Sequence, residues 1–341
     1  MQNLTLEEIG RRAGVSRSTV SRVINNHASV SPQVRRRVLE VVQETGYQPH
    51  AAARSLAAQR TRVIGLVVPR SVQAFFADPF FPRLIQGIAQ ACNAHDYTLS
   101  LFMFHSEAEE NNLYPRVLSR GLIDGVIISS SLEDDPLIPR LLESNMPFVI
   151  QGRPLISAPA HYVDVDNTVG AHSAVTHLIR LGHRRIGHIA GPFNTSVGRD
   201  RREGYVNALL GRAMEVREEL IVESDFSETG GYIAARQLLA RNVDAIFAAS
   251  DTLAFGALRL LREAGCRVPD DVAVVGFDDL AAAALTQPPL TTVRQPIRQT
   301  GIAAVETLVD VIENGEEPVH RVILPTQLIV RQSCGASFQE I

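Results

Sequence analysis

"GVSRSTVSRVIN", Gly14 to Asn25, decides how the first part of the chain is read. At helical spacing Val20, Val23 and Ile24 fall at i, i+3 and i+4, which makes one apolar seam. Arg17, Ser18, Ser21, Arg22 and Asn25 fall on the opposite face, rich in donors and free of carboxylates. A helix that only meets solvent usually mixes both signs of charge, so this face suits an anionic partner.

The flanking residues supply helix boundaries. "TLEE" (Thr5 to Glu8) is a capping box that opens a first helix through Ala13, with Leu6 and Ile9 inward. Gly14 ends it and Ser16 caps the quoted helix. "SPQV" places Ser31 at an N-cap and a proline at the first helical position, and a third helix runs from there to Gly46. Two helices joined by a short glycine-containing turn make a helix-turn-helix, whose second member enters a major groove. The apolar seam then docks on the other helices and the polar face on DNA. Arg17 and Arg22 suit bidentate pairing with guanine, whereas Ser16, Thr19, Ser21 and Asn25 suit phosphate oxygens. Thr5, Ser18 and Ser31 complete the set expected at the DNA. A small solvated helical domain is the plainer alternative.

Charge is distributed in the same sense. Residues 1–62 hold ten Arg against four Glu, a net of +6, so the rest of the chain carries −10 of the overall −4. A basic head on an acidic body directs the head to nucleic acid. All 33 basic residues are Arg, which removes the phosphate-loop lysine and the Schiff-base lysine. Three cysteines, far apart, read as reduced thiols. "MQNLTLEEIG" lacks the pattern of a secretion signal, and no apolar run nears the ~20 residues a membrane span needs. The expectation is a cytoplasmic protein with no membrane partner.

"YQPHAAARSLAAQRTR" (Tyr47 to Arg62) has high helix propensity and little to bury. It bears Arg54 and a lone Leu56, and reads either as a linker or as a segment that folds on DNA, with Leu56 as a minor-groove wedge.

From Arg62 onward short apolar runs alternate with amphipathic stretches. "RVIGLVVP", "GVIISSS", "PFVIQGR", "RIGHIAGP", "AIFAASD" and "VAVVGFDD" read as parallel strands buried on both faces. "DPFFPRLIQGIAQACNAH", "TVGAHSAVTHLIRLG" and "DTLAFGALRLLREAG" read as the helices between them. "TRVIGLVVP" and "HRRIGHIAGP" each open a series of such units, which gives two similar α/β lobes. Ligands meet such lobes at the carboxyl ends of their strands. Arg153, Arg199, Arg201, Ser250, Asp251, Asp278 and Asp279 stand there, and Phe80, Phe81 and Phe226 are placed to wall the same cleft. Asp251 reads equally well as a helix cap, and Phe80 as core.

The stretch "TLEEIGRRAGVSRSTVSRVINNHASVSPQVRRRVLEVVQETGYQPHAAARSLAAQRTRVIGLVVP" resembles the head, hinge and first strand of the lactose-repressor (LacI) and purine-repressor family. The resemblance continues through "GHRRIGHIAGP", "GFDD" and "PPLTTVRQP" and spans nearly the whole chain. It implies a helix-turn-helix DNA-binding domain joined to a two-lobed, periplasmic-binding-protein-like (type I) effector domain. It implies a homodimer on an inversely repeated operator, hinge helices that lever the central step open with Leu56, and a small effector, often a sugar. Phe80, Phe81, Arg153, Arg201, Phe226, Ser250, Asp251 and Asp278 match cleft-lining positions, with Arg201 in "GRDRREGY" and Asp278 in "VVGFDD" the firmest. Arg153 matches a variable position suited to tuning which ligand fits. At the reading helix Arg17 and Ser18 replace the tyrosine and glutamine of the lactose type, so the operator sequence does not carry over.

The implied organisation is 1–48 for the DNA-binding domain, 49–61 for the hinge, 62–163 with 293–320 for one lobe, and 164–292 with 321–341 for the other. An α/β enzyme is the first rival, but GxGxxG, GxSxG and HExxH are all missing, and His172 and His177 are five apart. A solute-binding protein fits the body but not the basic head. No cofactor, metal or catalytic residue is expected.

Overall fold

The structure is a computed structural model that describes residues 4–24, 27, 29–47, 60–71, 78–104, 107–119, 121–129, 132, 133, 135–155, 159–315 and 317–336. Asn25, Arg54, Leu56 and the 72–77 stretch lie outside the described residues. Met1–Thr61 and Arg62–Ile341 are separate compact units.

The first unit contains α1 (Leu6–Ala13), α2 (Arg17–Ile24) and α3 (Pro32–Thr45). Thr5 Oγ1 accepts from the Glu8 amide at 3.3 Å and Ser31 Oγ from the Val34 amide at 3.5 Å, so both expected caps are made. Ser16 Oγ accepts from the Thr19 amide at 3.2 Å. Gly14 and Gly46 end their helices at φ 62° and 61°, left-handed conformations that favour glycine. Gly10 is required for another reason: a Cβ there would stand 2.7 Å from the Val15 carbonyl, where the turn folds back on α1. Ile9, Ala13, Val20, Val23, Val38 and Tyr47 form the core.

The second unit holds two six-stranded sheets. The first contains β1 (Val63–Ser71), β2 (Thr98–Phe104), β3 (Gly125–Ser129), β4 (Phe148–Gln151), β5 (Tyr162–Val165) and β11 (Arg321–Leu324), in the order β11-β5-β4-β3-β1-β2. Its pairings are parallel. The second contains β6 (Ile186–Ala190), β7 (Ile221–Glu223), β8 (Ala245–Ala248), β9 (Ala273–Asp278), β10 (Thr291–Arg294) and β12 (Gln327–Ile329), in the order β12-β10-β9-β8-β6-β7, with β12 antiparallel to β10. β3, β4, β6, β8 and β9 are buried along their whole length, which explains their predominantly apolar sequences.

Helices cover both sheets: α4 (Phe80–Ala94), α5 (Glu107–Val117), α6 (Leu137–Glu143) and α11 (Ile297–Asn314) belong with the first, and α7 (Asn167–Arg180), α8 (Ser196–Leu210), α9 (Glu228–Leu239) and α10 (Asp251–Glu263) with the second. α4 and α11 cross at two glycines, where a Cβ on Gly87 would lie 2.0 Å from the Arg298 carbonyl and one on Gly301 2.5 Å from that of Leu84.

The chain passes between lobes three times, after β5, after β10 and after β11. The expected boundaries at 163/164, 292/293 and 320/321 therefore each need moving. Residues 164–165 complete β5 and 321–324 form β11, both in the first sheet, while 293–294 complete β10 in the second. The reason is not local: "YVDV" and "RVIL" are four residues each, too short to show a pattern, and Val322 lies opposite Val163 only once the sheet has formed.

Candidate functional site

On α2, the Arg17, Ser18 and Arg22 side chains are exposed, Thr19 and Ser21 half-buried, and Val20 and Val23 buried. Ser16 Oγ lies 2.8 Å from Ser18 Oγ and 2.9 Å from Thr19 Oγ1, so the first turn presents a joined group of hydroxyls. Arg17 forms an exposed pair with Glu7 at 3.1 Å. Other arginines brace the fold: Arg37 Nη2 donates to the Gly14 carbonyl at 3.3 Å and Arg35 Nη2 to that of His27 at 2.6 Å. Thr5 and Ser31 stand at helix N-termini, where free amides and the helix dipole favour phosphate.

In the body, a cleft of about 670 Å³, mouth included, opens at the carboxyl ends of both sheets. Six of the eight residues matched to cleft-lining positions line it: Phe80, Phe81, Arg201, Phe226, Ser250 and Asp278. Arg201, on α8, is its centre. Its Nε donates to Asn167 Oδ1 at 2.9 Å, its Nη1 donates to the Ala249 carbonyl and lies 3.6 Å from Asp278 Oδ1, and its guanidinium carbon is 3.6 Å from the centre of the Phe277 ring. Four independent constraints fix the plane of one buried cation.

Asp278 ends β9 at φ 122° and Asp279 follows at φ 55°. Two successive non-glycine residues at positive φ mark stored strain of the kind found at ligand sites. The strain turns the Asp278 carboxylate toward Arg201 and the amide of Gln295, which donates to it. Burial pushes Asp278 up to about 7, opposed by Arg201 and reinforced by the nearby Asp78. Asp164, at the end of β5, is raised to about 6, again by burial. Burial also lowers Arg201, but a guanidinium stays charged at neutral pH.

Phe226 adopts φ 65° and lays its ring over Gly191, where any Cβ would stand 2.1 Å away. Phe80 and Phe81 meet edge to face, centroids 5.3 Å apart. Phe81 is mostly core, whereas Phe80 is half-buried. Ser250 caps α10 by accepting from the Leu253 amide at 3.2 Å.

Two of the eight matched residues do not line the cleft. Asp251 sits one layer behind it, completely buried, accepting from Thr292 Oγ1 at 2.5 Å and the Leu280 amide at 2.7 Å. It is neither the helix cap, which is Ser250, nor an exposed ligand group. Burial and the neighbouring Asp278 raise it well above the usual carboxylate range. Arg153 turns its guanidinium to Asp200 of the other lobe.

Sequence reasoning missed Asp164, Asn167, Ser129, Gln151, Thr195 and Asp78, which also line the cleft. Ser129 and Gln151 end strands that were read correctly and are bonded to one another at 2.9 Å, so the strand-end rule would have found them. Asp164 and Asn167 escaped because β5 itself was not read.

Comparison with known proteins agrees with this geometry. A model of bacterial regulatory proteins of the lacI family matches residues 5–50, and one of a periplasmic binding protein-like domain matches 175–334. The HTH-type transcriptional regulator CelR of Thermobifida fusca is 44% identical over 335 residues, 96% of this chain and 98% of its own. The chain belongs to the LacI family. The ribose operon repressor of Haemophilus influenzae is 33% identical, covering 96% of this chain and 98% of its own. Among solved structures, a transcriptional regulator CelR–cellobiose complex superposes with a TM-score of 0.78 at 41% identity, covering 97% of this chain and 99% of its own. A lac repressor dimer bound to operator and an anti-inducer superposes at 0.86 and 27% identity, covering 98% and 100%. As a LacI-family member the chain is a DNA-binding transcription regulator under the control of a small effector. No helix among the described residues is long and apolar enough to cross a membrane.

Proposed function

We propose that this regulator is a sugar-responsive repressor, dimeric on an inversely repeated operator, with a carbohydrate of the cellobiose type as its effector. The observation that carries the reading is the fixed, buried Arg201–Asp278 pair in a cleft walled by Phe80 and Phe226. A guanidinium donates and a carboxylate accepts, so together they grip adjacent hydroxyls, and aromatic faces pack against the apolar side of a sugar ring. The sequence similarity to CelR and the cellobiose in its complex support the choice of disaccharide.

On DNA, Arg17 and Arg22 read base edges from the major groove and Ser16, Ser18, Thr19, Ser21 and Asn25 fix the register on phosphates, with Thr5 and Ser31 at flanking phosphates. Arg54 and Leu56 act at the minor groove between half-sites. The effector acts by favouring one arrangement of the lobes and with it one DNA affinity. Its relatives are regulators rather than enzymes, and the cleft is read as a site that binds without reacting.

Calorimetric titration of the full chain with cellobiose, ribose and a purine base tests the effector class. Saturable binding of cellobiose alone supports the reading. Binding of the purine base, or of none of the three, refutes it.

A further inference from the structure

Two ion pairs of opposite sense join the lobes at the rim of the cleft. Glu133, in the segment after β3, accepts from Arg199, and Asp200 accepts from Arg153, which follows β4. Each lobe thus supplies one acid and one base. The backbone joins at the same place: Leu132 and Thr195 form an isolated antiparallel bridge, and the Glu133 amide donates to the Asn194 carbonyl at 2.9 Å.

The positions of these residues relative to the site are telling. Arg199, Asp200 and Arg201 are consecutive in α8, so their side chains point in directions about 100° apart. Arg201 faces the cleft, while the two before it face the other lobe. Arg153 is tied to the cleft as well, because its amide donates at 2.8 Å to Oδ2 of Asp164, a lining residue. Two of the four partners, one acceptor and one donor, are held ready. The Asp200 side chain is only 9% exposed, and Arg199 is oriented by donating its Nε to the Phe193 carbonyl at 2.6 Å.

We propose that Arg153, Asp200, Glu133 and Arg199 form a latch that keeps the lobes closed and so sets effector affinity and residence without touching the effector. In this arrangement Arg153 is a positioning residue rather than a ligand contact. The proposal rests on the cleft being the effector site, and it adds a property no sugar-binding residue confers. A neutral sugar has no charge to screen, yet its affinity depends on ionic strength, because salt weakens the half-exposed pairs that close the cleft over it.

The test uses the full chain carrying spin labels at E143C and R236C, one on each lobe, in a C266S background, with no sugar present. Electron–electron resonance should give one narrow interlobe distance in 0.1 M salt. E133Q and D200N should each add a second population, as should 1 M salt, and the exchanged pair E133R with R199E should restore the single distance. E133Q changes a half-exposed surface group, so misfolding is not an explanation for its effect. Identical distance distributions for the parent, E133Q and D200N would overturn the latch. Calorimetry with cellobiose then reads the consequence. Affinity should fall threefold to thirtyfold in D200N, and several-fold from 0.1 to 1 M salt in the parent but not in E133Q/D200N. Salt-independent affinity in the parent would also overturn the proposal. Failure of cellobiose to bind the parent at all would count against the effector assignment, while the distance measurement would still decide the latch.

Discussion

Arg17 and Arg201 are the same side chain in opposite circumstances. The first is 68% exposed on a short helix, with a single glutamate at 3.1 Å; the second is 4% exposed, with its plane fixed by Phe277, Asn167, the Ala249 carbonyl and Asp278. An exposed cation in water gains little from any one partner and adapts to whatever polyanion approaches. A buried one has already lost its hydration and its freedom, so it discriminates by direction. The head therefore derives affinity from many adjustable charges, and the cleft derives selectivity from a few fixed ones.

Ionic strength should separate the two most widely. If each head neutralises three to five phosphates, operator affinity of a dimer falls on the order of 10³-fold or more between 50 and 200 mM salt. Cellobiose affinity over the same range should change by no more than a few-fold, the latch being its only salt-sensitive part. Equal slopes in anisotropy and calorimetry would erase the distinction.

Asp278→Asn strikes the fixed site. It takes the charge from a buried acceptor of sugar hydroxyls, and a hydrogen bond to a charged group is worth about 1.5–3 kcal/mol, so effector affinity should fall on the order of 10- to 10²-fold while operator affinity without effector is unchanged. Arg17→Ala strikes the adaptable one. It should cost about 1–3 kcal/mol on the best operator and relax preference at one base pair per half-site, with effector affinity untouched. A uniform loss across all operator variants would instead place Arg17 on a phosphate.

A smaller effect should come from pH. Asp278 is raised to about 7 in the folded protein, so its acceptor form fades as pH falls below that value. Effector affinity should be flat above about pH 8 and fall by up to about tenfold per unit below 7. The sign follows because a sugar hydroxyl donates to the ionised form. Asp278→Asn should remove the fall near pH 7 and leave only the one Asp164 causes near 6, and a parent profile rising toward acid would contradict it. The smallest effect expected is Ser31→Ala, which removes the cap of α3 and should lower stability of the head by about 1 kcal/mol, read as a lower unfolding midpoint for the head with the body's transition unmoved.

The head was legible because everything that specifies it is local. Caps, a left-handed glycine and an apolar seam all fall within a few residues of one another, as Thr5, Gly14 and Val20 do. Strands buried on both faces were legible for a similar reason, since "GVIIS" and "AVVGFD" carry their burial in their composition. The edge and crossover strands were not. β11 lies beside β5, more than 150 residues earlier, and its alternating exposure gives a weak pattern. The same distance hid part of the cleft. Asp251 lies at a strand's end as the rule demands, yet Thr292 and Leu280, far along the chain, draw it behind the wall. Arg153 looked like a ligand contact until Asp200 of the opposite lobe supplied its partner.

The central claim is that a small molecule in the body's cleft governs the head's hold on a particular duplex. Selection of bound fragments from genomic DNA, followed by anisotropy titration of the enriched duplex with and without saturating cellobiose, tests it most directly. The account predicts enrichment of an inverted repeat whose affinity for the parent protein shifts at least fivefold with the sugar, and does not shift for Asp278→Asn. Enrichment of no sequence over bulk competitor, or an identical shift in the variant, would contradict it.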